Sequence, residues 1–307
     1  MKKTDVLTTG VLFLTAIIWG FAFVAQVQGI NHIGSFTLNG TRFTLGVLSL
    51  LPVVLIFERG RVDREERIRT VKASILAGMA LFTASTLQQI GIAYTKSAGV
   101  AGFITGLYMV LVPIAGFLLF RHKTGVQVWL GAILAVIGLF LLCVKPGEGF
   151  SFGMGELLLL IGVFFWTAHI LIIDRLAKNV RPLHFSLGQF TVCAVLGLIT
   201  MFLFETPTWE GIWQAKWAIA YCGVLSVGVA YTLQVIGQRR ADPTFATIVL
   251  STESAFSAIG GVIFGIDSIS LIGYVGCLLI FLGIMVSQIT ISRRSSAKVN
   301  AEEESRP

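Results

Sequence analysis

Charge is what this sequence has least of. Charged residues make up 13% of the 307-residue chain, where a soluble domain carries about 25%. The shortage extends along nearly the whole chain, because apolar runs follow one another with connections of mostly about 6 to 15 residues. That spacing leaves no room for a separate soluble domain, and so excludes a sensor built on one. Cysteine is scarce too: Cys143, Cys193, Cys222 and Cys277 fall in four different runs with no C-x-x-C spacing. A disulfide framework or zinc site is thereby excluded, and the four read as small packing hydrophobes. No metal-ligand spacing and no Ser/His/Asp arrangement stands out. The glycine-rich "GEGFSFGMGE" is a loop between apolar runs rather than a strand-to-helix turn, so it is no phosphate cradle. Neither cofactor nor metal is expected. A membrane enzyme would need acids, His or Cys clustered at one membrane face, and no such cluster is visible.

What the chain has instead is apolar length. Hydrophobic residues make up 55% of it, and a window of about 20 residues finds ten candidate bilayer spans. They lie near 7–28, 35–57, 73–94, 98–119, 126–144, 155–173, 184–204, 216–236, 244–264 and 270–290. The fold class is an all-α integral membrane protein with ten transmembrane helices. The first span is not expected to be a cleaved signal: it runs about twenty residues, and its small-x-small site, Gly20-Phe21-Ala22, lies inside it.

The net charge of +7 reports orientation rather than a nucleic-acid partner. Of 23 Lys and Arg, nineteen fall on one set of alternating loops and tails, three (Lys96, Lys145, Lys216) on the other, and Arg42 within a span. By the positive-inside rule both termini face the cytoplasm, across a cytoplasmic (inner) membrane. The loop 58–72 mixes signs at helical spacing and reads as a solvated face. Residues 293–307 read as a disordered cytoplasmic tail.

The sequence also repeats itself. "TLQQIG" (Thr86–Gly91) returns as "TLQVIG" (Thr232–Gly237) at an offset of 146. At offsets of 145 to 147, Gly131 and Gly138 meet Gly276 and Gly283, and Trp19 meets Trp166. The chain divides into 7–146 (spans 1–5) and 147–292 (spans 6–10). Five is odd, so the second half enters the membrane upside down, giving two inverted five-helix repeats. Such repeats mark secondary transporters, with the substrate held near mid-membrane between the halves.

Polar residues inside spans need partners or water, which makes them site candidates. Glu253, in "VLSTESAF", is close to the midplane, where a charge costs about 2.5–3.5 kcal/mol on insertion scales. A carboxyl there can exchange protons as its surroundings wet and dry. Its structural alternative is a bond to neighbouring Ser251 or Thr252. Arg42 lies about a third of the way in from outside and can snorkel, pair with an acid or meet an anionic group. His169 lies towards the inner end of span 6, where packing is the plainer role. Gln88 and Gln234 are inversion partners, either pathway residues or helix–helix hydrogen bonds worth about 0.6 kcal/mol each. Trp19 and Trp166 are mid-span partners that would flank an organic substrate or pack the core. Trp209, Trp213 and Trp217 read as an interface belt, Gly102-x-x-x-Gly106 and Gly261-x-x-x-Gly265 as close-packing motifs, and Pro113 as a kink in span 4.

These residues carry a resemblance. "LTAIIWGFAFV" in span 1, "QQIGIAYTKSAGVAGFITGLYMVLVPIAG" across spans 3 and 4 and "ADPTFATIVLSTESAFSAIGGVIFG" across spans 8 and 9 are similar to the drug/metabolite transporter superfamily, EamA type with two EamA domains. The resemblance implies a basket-like bundle, with spans 1, 3, 4, 6, 8 and 9 lining a cavity and spans 5 and 10 peripheral. It also implies export of amino acids, related metabolites or toxic analogues, commonly driven by protons. Where such proteins often carry a Glu after spans 4 and 9, this chain has Arg121 and Asp267. The expected partners are a small-molecule substrate, protons and the lipid bilayer. An uptake permease or a lipid-linked flippase is the alternative within transport.

Overall fold

A bilayer leaves backbone polar groups no partners but each other, so the apolar runs become helices. The computed structural model describes residues 6–60, 63–120, 126–142, 144–145, 149–150, 152–241, 243–267, 270–279, 281–283 and 285–286. The expected tail, 293–307, and Cys143 lie outside them. Among the described residues eight helices are long and apolar enough to cross a membrane, and Trp129–Gly138 and Leu271–Gly283 are shorter apolar helices. The described residues fall into two units.

The larger unit, residues 4–108 and 152–268, opens with α1 (Val6–Gly29), α2 (Ser35–Phe57) and α3 (Arg64–Thr95). The last starts nine residues before the expected span. Asp63 accepts a 2.6 Å hydrogen bond from the Glu66 amide as its N-cap, and Glu65 and Glu66 occupy the first turn. The mixed-charge loop therefore joins the helix through capping and dipole effects that an apolar window cannot see. α4 (Ala98–Gly106) is capped by Ser97 and ends in a break at Leu107; α5 (Tyr108–Phe120) follows in the chain and belongs from Met109 onward to the smaller unit. The break comes about a turn and a half before Pro113, where the kink was expected.

The second set begins with α7 (Met154–Leu176) and α8 (Pro182–Phe204), α6 (Val126–Leu142) belonging to the other unit. α9 (Trp209–Gln214) and α10 (Lys216–Ala220) lead into a π-helical stretch, Tyr221–Tyr231, followed by α11 (Thr232–Gln238). α12 (Pro243–Ser251) and α13 (Glu253–Ile263) share one span, broken at Thr252. Cys193 and Cys222 are buried and free.

α2 and α8 form an antiparallel pair fastened at both ends. At one end Glu205, just past α8, accepts from the first amides of α2: Phe36 N to Oε1 at 3.0 Å and Thr37 N to Oε2 at 2.7 Å, with the Thr37 hydroxyl at 2.6 Å. At the other end Glu58, just past α2, accepts from Leu183 N at 3.1 Å and His184 N at 3.0 Å, with His184 Nδ1 at 2.5 Å. Each carboxylate supplies the acceptors that a helix N-terminus lacks and sits at the positive end of its dipole. Between the clasps Gly40 and Gly197 let the backbones touch, a Cβ on Gly40 falling 3.0 Å from the Gly197 carbonyl.

The smaller unit contains the described residues between 109 and 150 and between 270 and 286. Along α6 the side chains of Trp129, Leu130, Ile133, Val136, Ile137 and Phe140 are exposed, the outward apolar face that lipid favours. A two-residue antiparallel ladder, Val144–Lys145 with Gly149–Phe150, closes its loop.

Candidate functional site

Close helix approach builds the site. Gly20 lacks the side chain that would collide with Phe256, so α13 lies against α1 and brings Glu253 beside Trp19. The other side of α13 packs on α4, where Ser254 and Ser257 fill the places of side chains missing at Gly102 and Gly106. The Ser254 hydroxyl donates to the Gly102 carbonyl at 2.9 Å. Gly102 and Gly106 thus pack as their spacing predicts. Gly265 instead takes φ +65° at the end of α13, a turn conformation suited to glycine.

Between these helices lies a narrow cavity. Trp19, Arg42, Gln88, Trp166, Gln234 and Glu253 all line it, so six of the seven candidate residues meet in one place. His169 is the seventh, fully buried and bonded through Nε2 to Gln189 Oε1 at 2.9 Å, and it does not line the cavity. The cavity leaves about 30 Å³ for water centres, room for about two waters and for no metabolite in this conformation.

The two breaks in the spans fall at the cavity. Thr105 and Tyr108 flank the break at Leu107, and Glu253 follows the break at Thr252. Gln88 Nε2 donates to the Thr105 hydroxyl at 3.1 Å. The Tyr108 hydroxyl neighbours the Glu253 carboxyl. Ser251 and Thr252 turn their hydroxyls to Ile248 and Val249 carbonyls, so the local partners expected for Glu253 are otherwise engaged. Arg42 Nη1 donates to Gln26 Oε1 at 2.8 Å, and Gln26 donates back to the Ala22 carbonyl at 3.1 Å. The guanidinium also lies 5.2 Å from the centre of the Phe43 ring.

Two tyrosines that sequence reasoning passed over complete the wall. Tyr231 ends the π-helical stretch and gathers the aromatics: Trp19 at 4.6 Å between ring centres, Trp166 stacked at 6.1 Å and 11°, Phe190 at 6.0 Å and His169 at 6.3 Å. Its hydroxyl is within electrostatic reach of both Arg42 and Glu253. Irregular π turns often mark functional sites, but no residue pattern announces them. The usable signal was the polar tip of a tyrosine inside an apolar span, at the residue just before "TLQVIG".

Charge is arranged but not cancelled. Arg42 and Glu253 make no ion pair with one another. Gln234 Oε1, Trp166 Nε1 and Arg42 Nε are buried without a hydrogen-bond partner in the protein, and the Glu253 carboxyl has the Tyr108 hydroxyl beside it. Leaving such a group unsatisfied costs about 1–3 kcal/mol, so these atoms need a polar partner within the cavity. Among the described residues no three His, Cys, Asp or Glu side chains group to hold a metal ion.

One family model, the EamA-like transporter family, matches this chain twice, over residues 8–144 and 153–288. The chain belongs to the EamA-like transporter family. It is thus a multi-pass membrane transporter of the drug/metabolite transporter superfamily. It is 26% identical over 285 residues to an uncharacterized transporter of Archaeoglobus fulgidus, covering 91% of this chain and 85% of that one. It is 24% identical to the uncharacterized transporter YoaV of Bacillus subtilis, covering 93% and 97%. A solved structure titled "Crystal structure of protein" shares the fold, with a TM-score of 0.70 at 21% identity, covering 94% of this EamA chain and 98% of the other.

Proposed function

We propose that this EamA protein is a secondary transporter that exports small zwitterionic metabolites, amino acids or related compounds, across the cytoplasmic membrane by alternating access. The observation that carries the reading is the cavity, where Arg42 and Glu253 lie unpaired with each other behind an aromatic wall. Arg42 would receive a carboxylate, Glu253 an ammonium, and Trp19, Trp166 and Tyr231 the apolar body. Export as the direction rests on the family resemblance.

Alternating access needs two equivalent closures, and the mirrored details favour ten spans in two inverted halves, while the nineteen-to-three split of Lys and Arg favours cytoplasmic termini. Adding 147 to Phe36, Thr37 and Glu58 gives Leu183, His184 and Glu205, so one clasp maps onto the other bond for bond. The breaks at Leu107 and Thr252 are 145 residues apart. The double family match has the same period. With about two waters' room, the cavity corresponds to an occluded state, and substrate enters when one end of the basket opens.

Protons would drive the cycle through Glu253, whose protonation follows whether the cavity is dry or wet. A carboxyl serving both ammonium and proton makes the two compete, which is sufficient for exchange. The test is counterflow in liposomes with a pooled metabolite library, followed by Glu253→Gln on the substrate found. The variant is expected to lose accumulation driven by a pH gradient, while exchange at equal pH stays measurable at lower substrate affinity. Accumulation equal to the parent's would make Glu253 structural.

A further inference from the structure

We propose that the groove between α3 and α8, at the membrane face where both helices begin, is a binding site for one anionic phospholipid. The groove has a volume of about 490 Å³, within the range of ligand sites. It lies on the outside of the bundle, away from the central cavity, and shares no residue with it.

The groove is graded along its length as a phospholipid is. Glu66, Arg67, Arg181 and His184 stand at the mouth, within the first turn of α3 and at the start of α8. Val71 and Ile75 of α3, both about half exposed, and Leu187 and Val192 of α8 continue it inward. From the helix starts to Ile75 and Val192 is roughly 15 Å at 1.5 Å per residue. That is about half of a hydrocarbon core some 30 Å thick, or one leaflet. The floor exists because Gly188 faces Ser74 and the helices touch there.

Charge complementarity selects the head group. Arg181 Nε is 3.5 Å from Glu66 Oε1 and its Nη1 donates to the Glu58 carbonyl at 3.3 Å, while His184 meets the Glu58 carboxylate. Those two acids therefore engage Arg181 and His184, and Arg67 adds a further cation at the same mouth. Basic recesses between transmembrane helices take anionic lipid head groups by this chemistry. The acyl chains would cover Val71, Ile75, Leu187 and Val192, which lipid must cover in any case; the head group makes the site selective.

The test uses the purified full chain in detergent, with lipid adducts counted by native mass spectrometry. Phosphatidylglycerol should bind as one retained equivalent and phosphatidylcholine at least about fivefold more weakly, the value of one charge near a membrane surface. Arg67→Gln should lower phosphatidylglycerol affinity about fivefold. Thr191→Trp fills the groove without touching the ion pairs and should weaken both lipids about tenfold, with an unchanged thermal midpoint establishing that the variant is folded. Glycerol phosphate at matched concentration should displace neither. Equal binding of the two lipids, unchanged phosphatidylglycerol binding in Thr191→Trp, or displacement by glycerol phosphate would each overturn the proposal.

Discussion

The seam between α2 and α8 and the central cavity obey the same 146–147-residue repeat, but differently. At the seam the repeat is kept bond for bond: Glu58 and Glu205 each cap the opposite helix through the same pair of amides. In the cavity it is kept only for uncharged residues, Trp19 with Trp166 and Gln88 with Gln234. The two charged residues break it, because Arg42 stands opposite Gln189 and Glu253, at the 145-residue offset that relates the two span breaks, stands opposite Tyr108. Helix ends need the same acceptors in either half, so the seam keeps its symmetry. On the proposed reading, a guest with distinct ends would need different groups on each side, which the cavity's broken symmetry supplies.

The sharpest way to break this contrast is to make the cavity symmetric. Arg42→Gln installs the residue found at the mirrored position, Gln189. A hydrogen bond to a charged group is worth about 1.5–3 kcal/mol, so affinity for the substrate found by counterflow should fall about tenfold to a hundredfold. Abundance in the membrane should stay near the parent's, since Gln can still meet Gln26. Unchanged affinity with normal abundance would remove Arg42 from recognition, and with it the argument that charge marks the guest's ends.

The seam calls for the opposite result, equal losses from equal changes. Glu205→Ala and Glu58→Ala each strip a helix start of its carboxylate acceptors, and each should cost about 2 kcal/mol. Glu205→Ala should be the costlier by a few tenths, because Arg181 still reaches the Glu58 backbone carbonyl after the Glu58 side chain is gone. Thermal unfolding of the purified protein in detergent reads both. A large shift for one variant and none for the other would mean that only one clasp fastens the pair.

Much of this was legible in the sequence, for identifiable reasons. Apolar length placed the eight helices that are long and apolar enough to cross among the described residues, because the bilayer imposes one length on every crossing. Placing Trp19, Arg42, Gln88, Trp166, Gln234 and Glu253 in one cavity needed only the premise that polar or bulky mid-span residues require a reason. His169 met the same premise through a private bond to Gln189, and a single helix cannot reveal whether a partner comes from the next helix or from a guest. The clasps were not legible, since Glu58 and Glu205 sit at span ends where carboxylates are ordinary. Their meaning lies in which helix start they face. Tyr231 was missed because its role depends on the π-helical stretch, a backbone irregularity without a residue signature.

The smallest expected effect separates the two ends of the seam. Gly34 and Arg181 are mirrored positions, each just before its helix, yet one has no side chain and the other a long one. A Cβ on Gly34 would run into the Glu205 carboxylate, so Gly34→Ala must push that carboxylate off the α2 amides or move the backbone. Gly34 has φ −70°, which alanine adopts freely, so the cost is steric and should be about 1 kcal/mol, part of a lost cap. Arg181 points away from its carboxylate towards Glu66, with side chains 29% and 22% exposed. Pairs this open to solvent contribute about 0.2–1 kcal/mol, so Arg181→Ala should cost about half as much as Gly34→Ala in the same thermal assay. Adding Glu205→Ala to Gly34→Ala should bring no further loss from the glycine site, since the carboxylate it strikes is gone. A fully additive double variant would place the Gly34 effect elsewhere than the clasp.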